Sequence, residues 1–114
     1  MAAKTSAISL TDRSSKPLKA GTPALSKKQI AELLPLVKGW SHERGEIRRV
    51  FSFKDFHQTM EFVNAVAWIS HREDHHPDLL VGYNRCEIRY STHSVKGLSE
   101  NDFICAAKVN ALVE

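Results

Sequence analysis

Four of the six histidines in this 114-residue chain stand between positions 71 and 93, at His71, His75, His76 and His93, with the carboxylates Asp74 and Asp78 beside them. Imidazole has an unperturbed pKa of about 6.5, so it can give or take a proton near neutrality. Three readings of the cluster are open. The histidines can be surface or capping residues, as most single histidines are. Three imidazoles can hold zinc with one open position. They can also perform acid/base chemistry on a polar ligand. Adjacent His75 and His76 do not naturally aim both rings at one ion, as H-x-H or H-x-x-x-H spacing does, so no metal is expected.

The elements that must position these residues follow from periodicity. Leu79 to Tyr83 and the alternating run Cys86 to His93 read as two strands, with Cys86, Ile88, Tyr90 and Thr92 on one side and Glu87, Arg89, Ser91 and His93 on the other. A hairpin turning at Asn84 pairs positions about nine residues on either side, which sets His75 opposite His93 and gathers His75, His76 and His93 at one sheet end. A slip of one residue turns His93 to the other face.

Upstream, Ser26 and Gln29 form a capping box, Leu25 staples to Ile30, and Ile30, Leu33, Leu34 and Val37 repeat at helical spacing until Pro35 and Gly39 end the helix. Trp40 to Phe53 reads as a hairpin about Gly45, with Ile47, Phe51 and Phe53 inward and Arg49 the exception. A helix opens at Asp55 with Gln58, and another at Ser99 with Asp102, stapled from Leu98 to Phe103. The expected fold is α+β, a four-stranded antiparallel sheet with three helices on one face in the order α-β-β-α-β-β-α. On the middle helix Phe56, Met60, Val63 and Ala67 form one stripe, expected to cover the sheet. Phe62, Val66 and Ile69 form a second, expected to make a subunit contact in a homodimer or homotetramer.

Composition narrows the function classes. With 42% hydrophobic and 25% charged residues the chain is of ordinary globular make-up, and its length suits one domain. Residues 1–24 carry Lys4, Arg13, Lys16 and Lys19 against Asp12 and read as a flexible basic tail, leaving the 25–114 domain with 12 basic and 12 acidic side chains. A neutral body argues against nucleic acid as a direct partner. No apolar run is long enough for a membrane span or a secretory signal, so a cytoplasmic protein is expected. Cys86 and Cys105 lack C-x-x-C spacing and read as small buried residues.

The run Asp74-His75-His76-Pro77-Asp78, then Tyr83-Asn84, Ser91-Thr92-His93, Gly97-Leu98-Ser99 and Asp102 resembles the pterin-4a-carbinolamine dehydratase family. His71, His75, His76, Pro77, Tyr83, His93 and Asp102 fill the family signature at matching spacing, and Gly39-Trp40, Phe51, Phe53, Asp55 and Phe56 also fit. The resemblance spans roughly residues 25 to 112. It implies loss of water from a 4a-hydroxytetrahydropterin to give a quinonoid dihydropterin, in regeneration of a hydroxylase cofactor, with no metal, nucleotide or redox cofactor. It further implies His75 and His93 as acid/base residues and His76 as a positioning residue that shares proton transfer. Asp74, Ser91, Thr92 and Trp40 would contact the pterin, with His71, Pro77 and Asp102 as support. The family often has a carboxylate where His71 stands. The expected fold also resembles proteins that act with little use of catalysis, as a transcription-factor dimerisation partner or an assembly factor for a carboxylating enzyme, which is the alternative reading. Those roles would use the helix faces or the open sheet rather than the histidines.

Overall fold

The computed structural model describes residues 10–114. From residue 25 onward the elements are α1 (Lys27–Leu33), β1 (Ser41–Glu43), β2 (Glu46–Ser52), α2 (Phe56–Glu73), β3 (Asp78–Val81), β4 (Arg85–Tyr90) and α3 (Glu100–Ala111), with 3₁₀ turns at Leu34–Leu36 and His93–Val95. This is the order expected from the sequence, and the four strands make one antiparallel sheet arranged β1-β2-β4-β3.

Local chemistry sets the boundaries. The Ser26–Gln29 capping box starts α1, and Pro35 tightens its continuation into a 3₁₀ turn. Gly39 then turns the chain at φ +89°, a conformation that favours glycine, and a Cβ there would also crowd the Arg49 side chain at 2.7 Å. Arg44 and Gly45, both at positive φ, close the β1–β2 hairpin. Asp55 caps α2 by accepting from the Gln58 backbone N–H at 2.9 Å. Gln58 does not complete the box, because its side chain accepts from the Lys54 N–H instead.

The inward face of the sheet, Ile47, Phe51, Cys86, Ile88 and Tyr90, is buried beneath the helices with Leu98, Phe103 and Ile104. On α2 the two stripes are the reverse of the expectation. Phe62, Val66 and Ile69 are buried in this chain's own core, while Phe56 and Ala67 are exposed and Met60 and Val63 half-buried. The inward arc extends to Thr59 and Ser70. It can do so because Thr59 Oγ1 shares its one proton between the carbonyls of Asp55 and Tyr83, and Ser70 Oγ donates to that of Val66.

Residues 10–24, read from composition as part of a tail, are fastened to the body. Leu10 is 1% exposed within the core, Lys108 Nζ donates to the Thr11 carbonyl at 3.1 Å, and Arg13 pairs with Glu100. The Leu25 N–H bonds to the Leu98 carbonyl at 2.8 Å. The first nine residues, Lys4 among them, lie outside those described. No helix among the described residues is long and apolar enough to cross a membrane.

Candidate active site

The site grows from the C-terminal end of α2. Asp74 adopts the left-handed conformation at φ 51°, its N–H bonding back to the carbonyls of Ser70 and His71, and the His75 N–H reaches Ser70 at 3.2 Å. This closes the helix as a left-handed cap does, with aspartate in place of the usual glycine. The turn throws His75 across to the start of α3, where its Nε2 lies 2.6 Å from Oδ1 of Asp102.

Asp102 is 0% exposed, and every polar contact around it is spoken for. Its Oδ2 accepts from the Ser99 N–H at 3.0 Å, the helix-capping contact, and from the Thr92 hydroxyl at 2.8 Å. With the Thr92 proton directed at the carboxylate, Ser99 Oγ, 2.7 Å away, is the donor to Thr92 Oγ1. One carboxylate thus caps α3, fixes the threonine that follows β4, and accepts from His75. Nδ1 of His75 makes no hydrogen bond among the described residues, so it is the ring nitrogen free to meet a ligand. The ring is stacked on Tyr90, centroids 5.8 Å apart and planes 6° from parallel. Burial pushes the Tyr90 hydroxyl far above the usual tyrosine range and so keeps the platform neutral.

His75, Asp74 and Thr92 line a cavity of about 320 Å³. Ser91, Thr92 and His93 line a second of about 270 Å³, together with the β1–β2 turn and Lys96. Thr92 is common to both.

The three histidines do not line one cavity, although the cavities of His75 and His93 meet at Thr92. The β3–β4 ladder pairs Asp78 with Arg89 and Leu79 with Ile88, one residue away from a register centred on Asn84. Extended beyond the ladder, this register sets His75 opposite Thr92, and these are the two side chains that share Asp102. Beyond Tyr90, where β4 ends, the chain passes through the isolated Thr92–Gly97 bridge into the 3₁₀ turn, on which His93 is exposed. His76 is exposed and lines neither cavity.

The remaining expected residues are dispersed. His71 is exposed on the last turn of α2, lines neither cavity, and contributes its carbonyl to the Asp74 N–H. Pro77 is half-buried just before β3, a strand-entry position where its missing N–H costs nothing. Trp40 does not border either histidine cavity. It is a core aromatic against Phe51 and Tyr90, and its Nε1 donates to Asn110 at 2.8 Å. Asn110 also accepts from Arg49 at 2.7 Å, which explains why an arginine sits on the inward side of β2.

Tyr90, Ser99 and the chain from Ser15 to Leu18 were not foreseen as site residues. The inward alternation of β4 and the α3 capping box carried the first two. Nothing in the pattern signalled the third. Among the described residues no three His, Cys, Asp or Glu side chains are grouped as a metal ion would need.

The family model described as Pterin 4 alpha carbinolamine dehydratase matches residues 23–112. A protein of Nitrosospira multiformis is 54% identical over 105 residues, covering 92% of this chain and 93% of that one. One of Nitrosomonas eutropha is 56% identical over 110 residues, covering 96% and 97%. Both bear the name "Putative pterin-4-alpha-carbinolamine dehydratase". The crystal structure of a transcriptional coactivator/pterin dehydratase from Brucella melitensis superposes with a TM-score of 0.77 at 34% identity, over 80% of this chain and 99% of that one. A pterin dehydratase-like RuBisCO assembly factor of the alpha-carboxysome, at 24% identity and a TM-score of 0.55 over 64% of this chain and 84% of that one, shares the fold. Matched over nearly the whole of its folded part, the chain belongs to the pterin-4a-carbinolamine dehydratase family.

Proposed function

We propose that this protein dehydrates a 4a-hydroxytetrahydropterin to the quinonoid dihydropterin. The reaction expels the C4a hydroxyl as water, which needs a proton delivered to that oxygen. It also removes the proton from N5 as the C4a=N5 double bond forms. One proton is given and one taken, so imidazoles can complete the cycle without net consumption.

The observation that carries this reading is the contact of His75, which lines a cavity of about 320 Å³, with the fully buried Asp102 behind it. A ring held at Nε2 by a buried carboxylate presents Nδ1 in a fixed direction, the arrangement proton transfer requires. Asp74 and Thr92 would contact the pterin beside His75. His93 and Ser91 would act from the adjoining cavity across Thr92, with His93 as the second proton-transfer group and His76 positioning the ligand at the rim. Decay of a 4a-carbinolamine released by an aromatic amino-acid hydroxylase, followed with and without this protein, tests the proposal. An unaltered decay rate would overturn it.

The assembly we propose is a homo-oligomer joined along the free edge of β3. That edge has unpaired backbone groups and exposed Leu79, Leu80 and Val81 with Tyr83 beyond them.

A further inference from the structure

The cavity of His75 has a wall that belongs to neither the sheet nor the helices. Ser15, Lys16, Pro17 and Leu18 line it opposite Asp74 and His75. This stretch is clamped at its backbone. The Ser15 N–H donates to Glu73 Oε1 at 2.8 Å, and Asn101 grips Lys16 from both sides, accepting from its N–H at 3.1 Å and donating to its carbonyl at 2.8 Å. Lys108 lies 3.5 Å from the other Glu73 oxygen and also bonds the Thr11 carbonyl, so one ion pair ties two points of the strap to α2 and α3. Leu10 anchors the far end in the core.

Two features connect the strap to the chemistry. Asn101, which holds the strap, is followed directly by Asp102, which holds His75, so one turn of α3 sets the distance between wall and histidine. The strap's polar backbone at Ser15 and Lys16 is already engaged, whereas the Ser15 hydroxyl and the Lys16 ammonium make no hydrogen bond among the described residues.

We propose that Ser15–Leu18 is a substrate-binding wall that determines specificity for the pterin, Pro17 and Leu18 offering apolar contact and Ser15 and Lys16 polar contact. The inference rests on the dehydratase reading above. A wall that contacts substrate and transition state alike changes KM with little effect on kcat.

The test compares the full chain, a variant lacking residues 1–18, and the double variant Lys16→Ala/Leu18→Ala, which leaves the backbone clamps in place. KM is expected to rise roughly fivefold or more in both variants with kcat within about twofold. Unaltered KM in the double variant overturns the proposal, and this holds even if the deletion fails to fold. Titration of the full chain with a stable dihydropterin lacking the 4a-hydroxyl supplies a readout without turnover. Amide shift changes at Ser15, Lys16 and Leu18 are expected. Changes at Asp74, His75 and Thr92 alone overturn the wall. Shifts along the strap in a protein without dehydratase activity would overturn the reaction and keep the wall, and no shifts anywhere with no activity would overturn both.

Discussion

Nε2 of His75 lies 2.6 Å from Oδ1 of Asp102, a carboxylate without solvent exposure that also receives the Thr92 hydroxyl and the Ser99 N–H. A residue in the first turn of the last helix thereby fixes a histidine that follows the central helix. Asp102→Asn keeps the shape but replaces one acceptor oxygen with a donor, so the ring loses its fixed orientation. kcat is expected to fall by about 10-fold to 100-fold with a changed pH–rate profile, and stability by roughly 1–3 kcal/mol from the hydrogen bonds lost. Retention of both kcat and the wild-type pH profile would remove Asp102 from the positioning of His75.

Direct removal of the histidine proposed to transfer the proton is expected to cost more. His75→Ala is expected to lower kcat by about 10²–10⁴, and His93→Ala to lower it as well, with melting temperature changed little in His93→Ala because that side chain is exposed. His76→Ala is expected to act mainly on KM. Steady-state kinetics beside thermal melts separates these outcomes, and full activity in both His75→Ala and His93→Ala sinks the assignment.

The open face of the sheet carries a buried carboxylate of its own. Glu87 lies 3.2 Å from Arg48 Nε and 2.6 Å from Arg89 Nε, and hydrogen bonds from these guanidinium groups hold its pKa down at about 2. A depressed carboxylate pKa gives stability that is fully present above the ordinary value of 4.5 and is lost as pH falls through about 2. Glu87→Gln is therefore expected to be less stable than the wild type above pH 4.5, the two converging toward pH 2. Denaturant melts across that range check it, and a gap independent of pH would contradict the pairing.

What the sequence showed and hid follows from the range of each interaction. Caps and the first hairpin are decided within a few residues, so Ser26, Asp55, Ser99 and the turn at Gly45 were legible. The β3–β4 register depends on which residues occupy a short turn, and a difference of one there sets Thr92 rather than its neighbour His93 opposite His75. The inward arc of α2 was misread because both stripes are apolar and the deciding residues, Thr59 and Ser70, are polar groups satisfied locally. Residues 10–18 dock through backbone hydrogen bonds to Glu73 and Asn101, and composition carries no trace of such contacts.

The assembly prediction changes with that reversal of α2. Val66 is fully buried inside one chain, so Val66→Asp is expected to cost about 3–5 kcal/mol and to unfold the protein rather than dissociate it. The β3 edge is the exposed apolar surface that also carries unpaired backbone groups. Leu79 and Val81 lie beside Ile88 and Cys86 on the core side of the sheet, yet remain over a third exposed, and Leu80 on the other face is 60% exposed. An unpaired strand edge with three apolar residues offers both backbone hydrogen bonds and area to a second copy. Leu80→Lys places a charge at that edge while removing little from the core, so a folded protein of reduced mass is expected, its stability as a monomer within about 0.5 kcal/mol. Light scattering checks this against the 12.8 kDa of a single chain. A monomeric wild type would remove the edge as an interface, and an oligomer undisturbed by Leu80→Lys would move the contact to the outer face of α2, where Trp68 is 61% exposed beneath Arg72.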